Sequence, residues 1–202
     1  TAWFFRFSTT ELKHLAIGTL LVLGVGLSIV PQLSMPVAVE TLVVPALIFT
    51  LSFISHEIAH KLSAQHYGLW AEFRLTLIGA FITLLSALTP IFKVIAPGAV
   101  MIAGPVSQKA MGRTAVAGPL TNIALSTMFI LSVSFLKTLF PFSSFLWASI
   151  FGAWVNAFIA LFNLIPFGML DGWKVFRWNK MAWGVAFLAS AALAIFTFSL
   201  LP

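Results

Sequence analysis

An apolar run of membrane length that ends in a cluster of ionisable side chains constrains this chain more than any other feature. Residues Val37 to Ile54 carry one charged side chain, Glu40, near their start. The sequence HEIAH follows at 56–60. Such a run predicts a helix that crosses a lipid bilayer, because a spanning helix needs about 20 apolar residues. Charged residues inside spanning helices are costly to insert and mark functional sites.

The composition extends this prediction to the whole chain. Of the 202 residues, 60% are hydrophobic and 8% are charged, whereas soluble domains average about 25% charged residues. We therefore predict an all-α polytopic membrane protein, surrounded by the lipid bilayer, without a large soluble domain. The net charge of +6 could suggest a nucleic-acid partner. The basic residues are dispersed at helix ends, however, so they indicate membrane topology and no nucleic-acid binding.

About six membrane segments are predicted within a single domain, 1–202. They cover roughly 12–30, 38–66, 75–95, 114–136, 145–165 and 181–201. The segment at 75–95 leaves two topologies open, because charge patterning puts Arg74 and Lys109 on one side of the membrane. Either 75–95 crosses and a short stretch returns, or 75–106 is a re-entrant hairpin with a β element. We favour the hairpin, which needs protein or a water-filled cavity around its irregular backbone.

Basic residues also predict the orientation. They put the N-terminus and the segments 61–74, 107–113 and 171–180 in the cytoplasm, and the loops 31–37 and 138–144 outside. The first apolar run has no convincing cleavage site after it, so we expect a retained helix. The lack of targeting segments suits a prokaryotic plasma membrane, with the functional site toward the cytoplasm.

The HEIAH sequence has the spacing of a metal site on a helix. Positions i and i+4 share a face, so His56 and His60 can hold one metal ion, with Glu57 beside them as a general base. The alternative is that these residues simply lie above the membrane interface. If Lys61 marks that interface, His56 lies about 7.5 Å below it, so depth alone does not exclude this alternative.

A catalytic zinc usually has three protein ligands and one open position. The chain has no cysteine, so the third ligand must be another histidine or an acidic residue. The candidates are Asp171, Glu11, Glu40, Glu72, His14 and His66. Glu11 and His14 precede the first apolar run and are expected at the surface. Glu40 lies near the opposite end of its helix. Glu72 is expected to be solvated beside Arg74.

His66 is ten residues beyond His56 and points about 80° away from it around a helix. Asp171 therefore remains as the third ligand. Pro166 and Gly168 precede it, and a helix that ends at a proline before a turn can bring a carboxylate to a metal on another helix.

Three ordered motifs carry a family resemblance. They are HExxH at 56–60, GPxxN at 118–122 and NxxPxxxLDG at 163–172. Together they resemble the site-2 protease family of intramembrane zinc metalloproteases, in a compact form without a PDZ domain. The matched three-helix core covers about 38–68 and 114–175. Where the family often has a second glycine after LDG, this chain has Trp173.

The resemblance implies a set of site residues. His56, His60 and Asp171 would bind one Zn²⁺ per chain, Glu57 would be the base, and Asn163 would help to position the scissile carbonyl. The 118–122 motif allows two interpretations, a kinked packing element, which we favour, or a direct catalytic element.

The implied function is hydrolysis of a peptide bond in or near a transmembrane helix of a protein substrate. A strand at about 97–103 is predicted to receive the substrate by β-pairing, as a corresponding region does in relatives. Alternatives are a non-catalytic membrane protein that binds or transports metal, or one that binds client proteins. Polar residues clustered at one depth argue against transport, and the intact Glu57 argues against an inactive relative. The sequence predicts neither the substrate's identity nor the oligomeric state.

Overall fold

The computed structural model describes residues 6–29, 39–89, 93, 95–141 and 143–201, and the side chains of 29 and 39–42 are outside that description. Two compact units share the chain, Thr1–Pro105 and Val106–Pro202. The predicted loop at 31–37 lies outside the described residues.

The first unit contains three helices and two strands. The helices are α1 (Thr9–Ile29), α2 (Val39–His66) and α3 (Leu77–Leu88), and the strands are β1 (Trp70–Leu75) and β2 (Gly98–Ala103). Helices α1 and α2 pack closely at Gly26, where an added Cβ would lie 2.6 Å from the Cα of Ala46. Helix α2 therefore lies directly against α1.

Helix α2 ends in a Schellman motif, which fixes where the chain turns into β1. Gly68 has a φ of +71°. Its N–H donates to the carbonyl of Gln65, and the N–H of Leu69 donates to that of Ala64. The buried Leu69 side chain completes the cap. The predicted stop at Gly68 is confirmed.

Strands β1 and β2 form an antiparallel pair, with Phe73 opposite Val100 and Leu75 opposite Gly98. The two ends of the segment between the strands therefore lie next to each other. It contains α3, whose 12 residues span only about 18 Å, short of the hydrocarbon thickness of about 30 Å. The structure therefore favours the hairpin over a crossing at 75–95.

The hairpin is tied to its surroundings by polar side chains. Thr83 Oγ1 on α3 accepts a hydrogen bond from the Ala96 N–H, at 3.2 Å. Lys93 donates to Ser28 Oγ at the end of α1 and to the Ser86 carbonyl at the end of α3. Partial burial lowers the pKa of the Lys93 ammonium below its usual value. The bonds to the Ala96 N–H and the Ser86 carbonyl satisfy backbone groups that an apolar setting would leave unpaired.

The second unit is helical in the residues described. It contains α4 (Gln108–Leu139), α5 (Ser144–Asn163), α6 (Asp171–Trp178) and α7 (Lys180–Phe198). The hydroxyl groups of Ser107 and Ser143 cap α4 and α5 by accepting N–H bonds from the first turn. The side chain of Asn179 caps α7 in the same way.

Five described helices, α1, α2, α4, α5 and α7, are long and apolar enough to cross a membrane. The prediction of an all-α polytopic membrane protein is confirmed, with a small two-stranded sheet near the predicted β element. Of about six predicted segments, the one at 75–95 corresponds to the short α3 and is not among these five. Helix α6 was not predicted.

Candidate metal centre

The two histidines of the HEIAH sequence face each other on α2. Their Nε2 atoms are 3.0 Å apart, and their rings meet edge to face at a centroid distance of 4.6 Å. Both side chains are buried, and so is that of Glu57. The i, i+4 spacing therefore brings His56 and His60 together as predicted, with Glu57 beside them in the chain.

This pair of nitrogens fits a zinc ion. Two nitrogens that each lie about 2.0–2.1 Å from zinc at a tetrahedral angle are about 3.3 Å apart. The observed 3.0 Å is close to that separation, although it is also an ordinary hydrogen-bond length. Imidazole nitrogens suit zinc, and the chain offers no thiolate that would compete.

Other ionisable residues of the first unit are engaged elsewhere. His66 is exposed and its ring packs edge to face on Tyr67. Glu72 lies in β1, not in a solvated loop, and forms an ion pair with Arg74 of the same strand. His14 Nδ1 accepts a hydrogen bond from the Leu75 N–H, at 3.3 Å.

The expectation for Glu11 was wrong. Glu11 is fully buried, not at the surface, and Lys61 is buried beside it. The two side chains form an ion pair between α1 and α2. A carboxylate and an ammonium can be buried in this way only when each compensates the other.

Asp171 is the first residue of α6 in the second unit, and its side chain is buried. Lys174, one turn further along, donates to its Oδ1 at 3.1 Å. The next residue must be glycine, because a Cβ at Gly172 would lie 2.1 Å from the carbonyl oxygen of Leu164. Close packing of α6 on the end of α5 thus explains the glycine of the LDG sequence and fixes where Asp171 lies within this unit.

Asn163 is the last residue of α5, and its amide group donates to the Ile159 carbonyl of the same helix at 2.9 Å. The loop to Asp171 turns at Gly168, which has a φ of +61°. Trp183 Nε1 holds the start of this loop by donating to the Leu164 carbonyl. Trp173 points outward, with its side chain 42% exposed, so it does not disturb the start of α6.

One curated relative resembles nearly the whole chain. A protein of Methanocaldococcus jannaschii with the name "Putative zinc metalloprotease MJ0611" is 35% identical over 182 residues, which are 90% of this chain and 91% of the relative. The chain belongs to this zinc metalloprotease family. Neither a protein-family model nor a solved structure matches the chain.

The metalloprotease contains a polar contact that the sequence analysis missed. Asn122 of the 118–122 motif donates from its amide to Asn156 Oδ1 at 2.8 Å, and Asn156 donates to the Gly152 carbonyl at 2.9 Å. Both asparagines are fully buried between α4 and α5. This contact supports the packing interpretation of the motif. A buried asparagine in an otherwise apolar segment was the available signal for Asn156.

Proposed function

We propose that this metalloprotease acts within the membrane, in the manner of site-2 proteases, and hydrolyses a peptide bond in or near a substrate's transmembrane helix. The observation that carries the proposal is the pair of buried imidazoles, His56 and His60, on a helix long enough to span the bilayer. A metal ion bound by two residues of such a helix would lie away from bulk solvent, and hydrolysis would take place there. The relative's printed name supports the protease chemistry.

The proposed ligand set is His56, His60 and Asp171. Two imidazoles leave a catalytic zinc one protein ligand short, and a carboxylate oxygen is an accepted third ligand. The buried carboxylate of Asp171 and the motif in which it lies support this assignment. Zinc held there supplies Lewis-acid chemistry, which polarises a carbonyl and makes water more acidic.

Glu57 is the proposed proton carrier. Its carboxylate takes a proton from the attacking water and then delivers it to the nitrogen of the leaving amine. The side chain of Glu57 is buried beside the two histidines in the chain, which is where the proposed role requires it. Asn163 is proposed to donate a hydrogen bond to the scissile carbonyl with the amide N–H that does not bond to Ile159.

The substrate must reach this site in an extended form, because a helix engages its carbonyls in its own hydrogen bonds. We propose that β2 receives it by strand addition. The N–H groups of Phe73 and Leu75 point away from β2, toward Glu11 and His14. The antiparallel pattern therefore turns the backbone groups of Val100 toward the other edge of β2, where a third strand would bind.

Substitution of Glu57 tests the proposed function. Glu57→Gln keeps the shape of the side chain but cannot carry the proton, so cleavage of a reporter transmembrane substrate should be lost. The purified variant should still hold about one zinc per chain, measured by elemental analysis. Glu72→Gln, an acid-to-amide change in β1, is the matched control and should cleave normally.

Each alternative outcome of this test has a distinct meaning. Hydrolysis that persists in Glu57→Gln would contradict the assigned base. Loss of zinc together with activity would make Glu57 a ligand. A natural chain that binds zinc but cleaves no membrane substrate would favour a metal-binding protein without protease activity.

A further inference from the structure

We infer that the buried Glu11–Lys61 ion pair positions the two-stranded sheet against the helix that carries His56 and His60. The inference concerns the first unit only, and it rests on the proposed function in that β2 is taken as the strand that receives substrate. Glu11 and Lys61 are positioning residues in this proposal, because neither is proposed to touch the substrate or the metal.

The ion pair joins separate elements of the first unit. Lys61 belongs to α2 and Glu11 to α1. Glu11 uses its second oxygen, Oε1, to accept the Phe73 N–H of β1 at 3.0 Å. Lys61 also donates to the Arg6 carbonyl at 2.8 Å and lies 3.9 Å from the centre of the Phe7 ring. One pair of side chains therefore fixes two helices, one strand and the segment before α1.

The burial of this pair is hard to explain by stability alone. Glu11 is 0% exposed and Lys61 is 2% exposed. Replacing a buried ion pair by apolar residues of similar volume is often neutral or stabilising, because desolvation offsets most of the attraction between the charges. What an apolar pair could not supply is the directed bond from the Phe73 N–H to a side-chain oxygen.

A series of contacts connects α2, which carries His56 and His60, to β2, the strand proposed to receive the substrate. Lys61 follows His60 directly in α2. Phe73, which bonds to Glu11, lies opposite Val100 in the sheet register. A shift of Lys61 relative to Glu11 would thus move β2 relative to His60.

Glu11 and His14 also occupy one edge of the sheet. They accept two of the three N–H groups of β1 that point away from β2, those of Phe73 and Leu75; that of Ala71 is the third. An added strand would therefore find fewer donors at this edge. The pair of side chains on α1 thus favours an incoming strand at β2 over one at β1.

Two double variants test the inference. Glu11→Gln with Lys61→Met removes both charges but keeps an oxygen for the Phe73 N–H. Glu11→Leu with Lys61→Met removes that oxygen as well. Changing both residues together avoids leaving one charge buried without its partner. Glu72→Gln is the control, because its partner Arg74 lies on the same strand and their ion pair joins no other element.

The first readout does not depend on catalysis. Cysteine substitutions of Leu51 on α2 and Met101 on β2, both exposed, allow two spin labels in a chain that has no other cysteine. Their distance distribution in detergent should be narrow in the natural chain. It should broaden in the Gln/Met variant and broaden further in the Leu/Met variant. An unchanged distribution in both variants would overturn the inference.

The second readout separates positioning from general stability. We expect KM for an unstructured reporter substrate to rise about tenfold in the Leu/Met variant, with kcat per bound zinc unchanged. A loss of kcat or of folded protein at unchanged KM would instead show an ordinary stabilising pair. If the Leu/Met variant does not fold, the Gln/Met variant must show the broadening and a raised KM. If the natural chain cleaves nothing, the proposed function fails while the distance measurement still decides this inference.

Discussion

The register of the sheet makes a sharp prediction for proline substitutions in β2. The Phe73–Val100 pair is not hydrogen-bonded across the sheet, because the Phe73 N–H bonds to Glu11 instead. The Val100 N–H therefore points to the outer edge of β2, whereas the N–H of Met101 points toward Glu72 in β1. Val100→Pro should remove a donor for the substrate, and Met101→Pro should remove a bond within the sheet.

The expected fall in kcat/KM follows from the substrate carbonyl that would lose its hydrogen-bond donor. A substrate carbonyl that is buried without its partner costs about 1–3 kcal/mol, which corresponds to a fall of about 5- to 150-fold in kcat/KM. Val100→Pro should show that fall with little change in melting temperature, because proline is tolerated at the outer positions of edge strands. Met101→Pro should instead lower the melting temperature.

The assay is cleavage of a reporter transmembrane substrate in detergent, with thermal unfolding and zinc content measured on the same samples. Val100→Ala is the matched control, because it shortens the same side chain but keeps the N–H group. Equal kcat/KM for Val100→Pro and Val100→Ala would refute the strand-addition argument. Substrate would then be held by side chains alone.

Three further predictions concern the ligand, the core and the topology. Asp171→Ala should lower zinc content as well as cleavage, because two histidines under-coordinate the metal, and full zinc occupancy would show that the third ligand is misassigned. Asn156→Ala removes the Oδ1 that accepts from the Asn122 amide and should lower the free energy of unfolding by about 1 kcal/mol, and the double variant with Asn122→Ala should cost less than the sum of the two single variants. Ser34→Cys and Lys109→Cys should react with an impermeant thiol reagent from opposite sides of the membrane, and labelling from one side would contradict the predicted orientation.

Hydropathy predicted the spanning helices well where apolar residues define their ends. Helix α2 was expected at 38–66 and is found at Val39–His66, and its glycine cap was read correctly from the sequence. Helix α4 begins at Gln108, six residues before the expected 114. Its first turns carry the charged residues Lys109 and Arg113. They interrupt the apolar pattern from which the start was predicted, but they do not prevent a helix, whose first turn Ser107 caps.

The features that the sequence did not reveal depend on contacts between distant residues. Glu11 and Lys61 are separated by 50 positions and look like two ordinary surface charges until α1 and α2 pack together. The Asn122–Asn156 contact likewise needs two helices side by side. Helix α6 has eight residues behind a proline and a glycine, so its apolar pattern was too short to predict. Local patterns thus supplied the candidate site residues, but not the contacts that hold the surrounding elements in place.

The position of His56 along α2 bears on how water would reach the proposed site. His56 lies ten residues, or about 15 Å, before His66, the last residue of α2. If α2 ends at the membrane surface, that distance is about half the thickness of the hydrocarbon layer. Under the proposed function, each cleavage would consume one water molecule at this position. Entry of water through the protein is therefore a step that could limit turnover. Substitutions along its route could change the rate of water entry without changing the residues that carry out the hydrolysis.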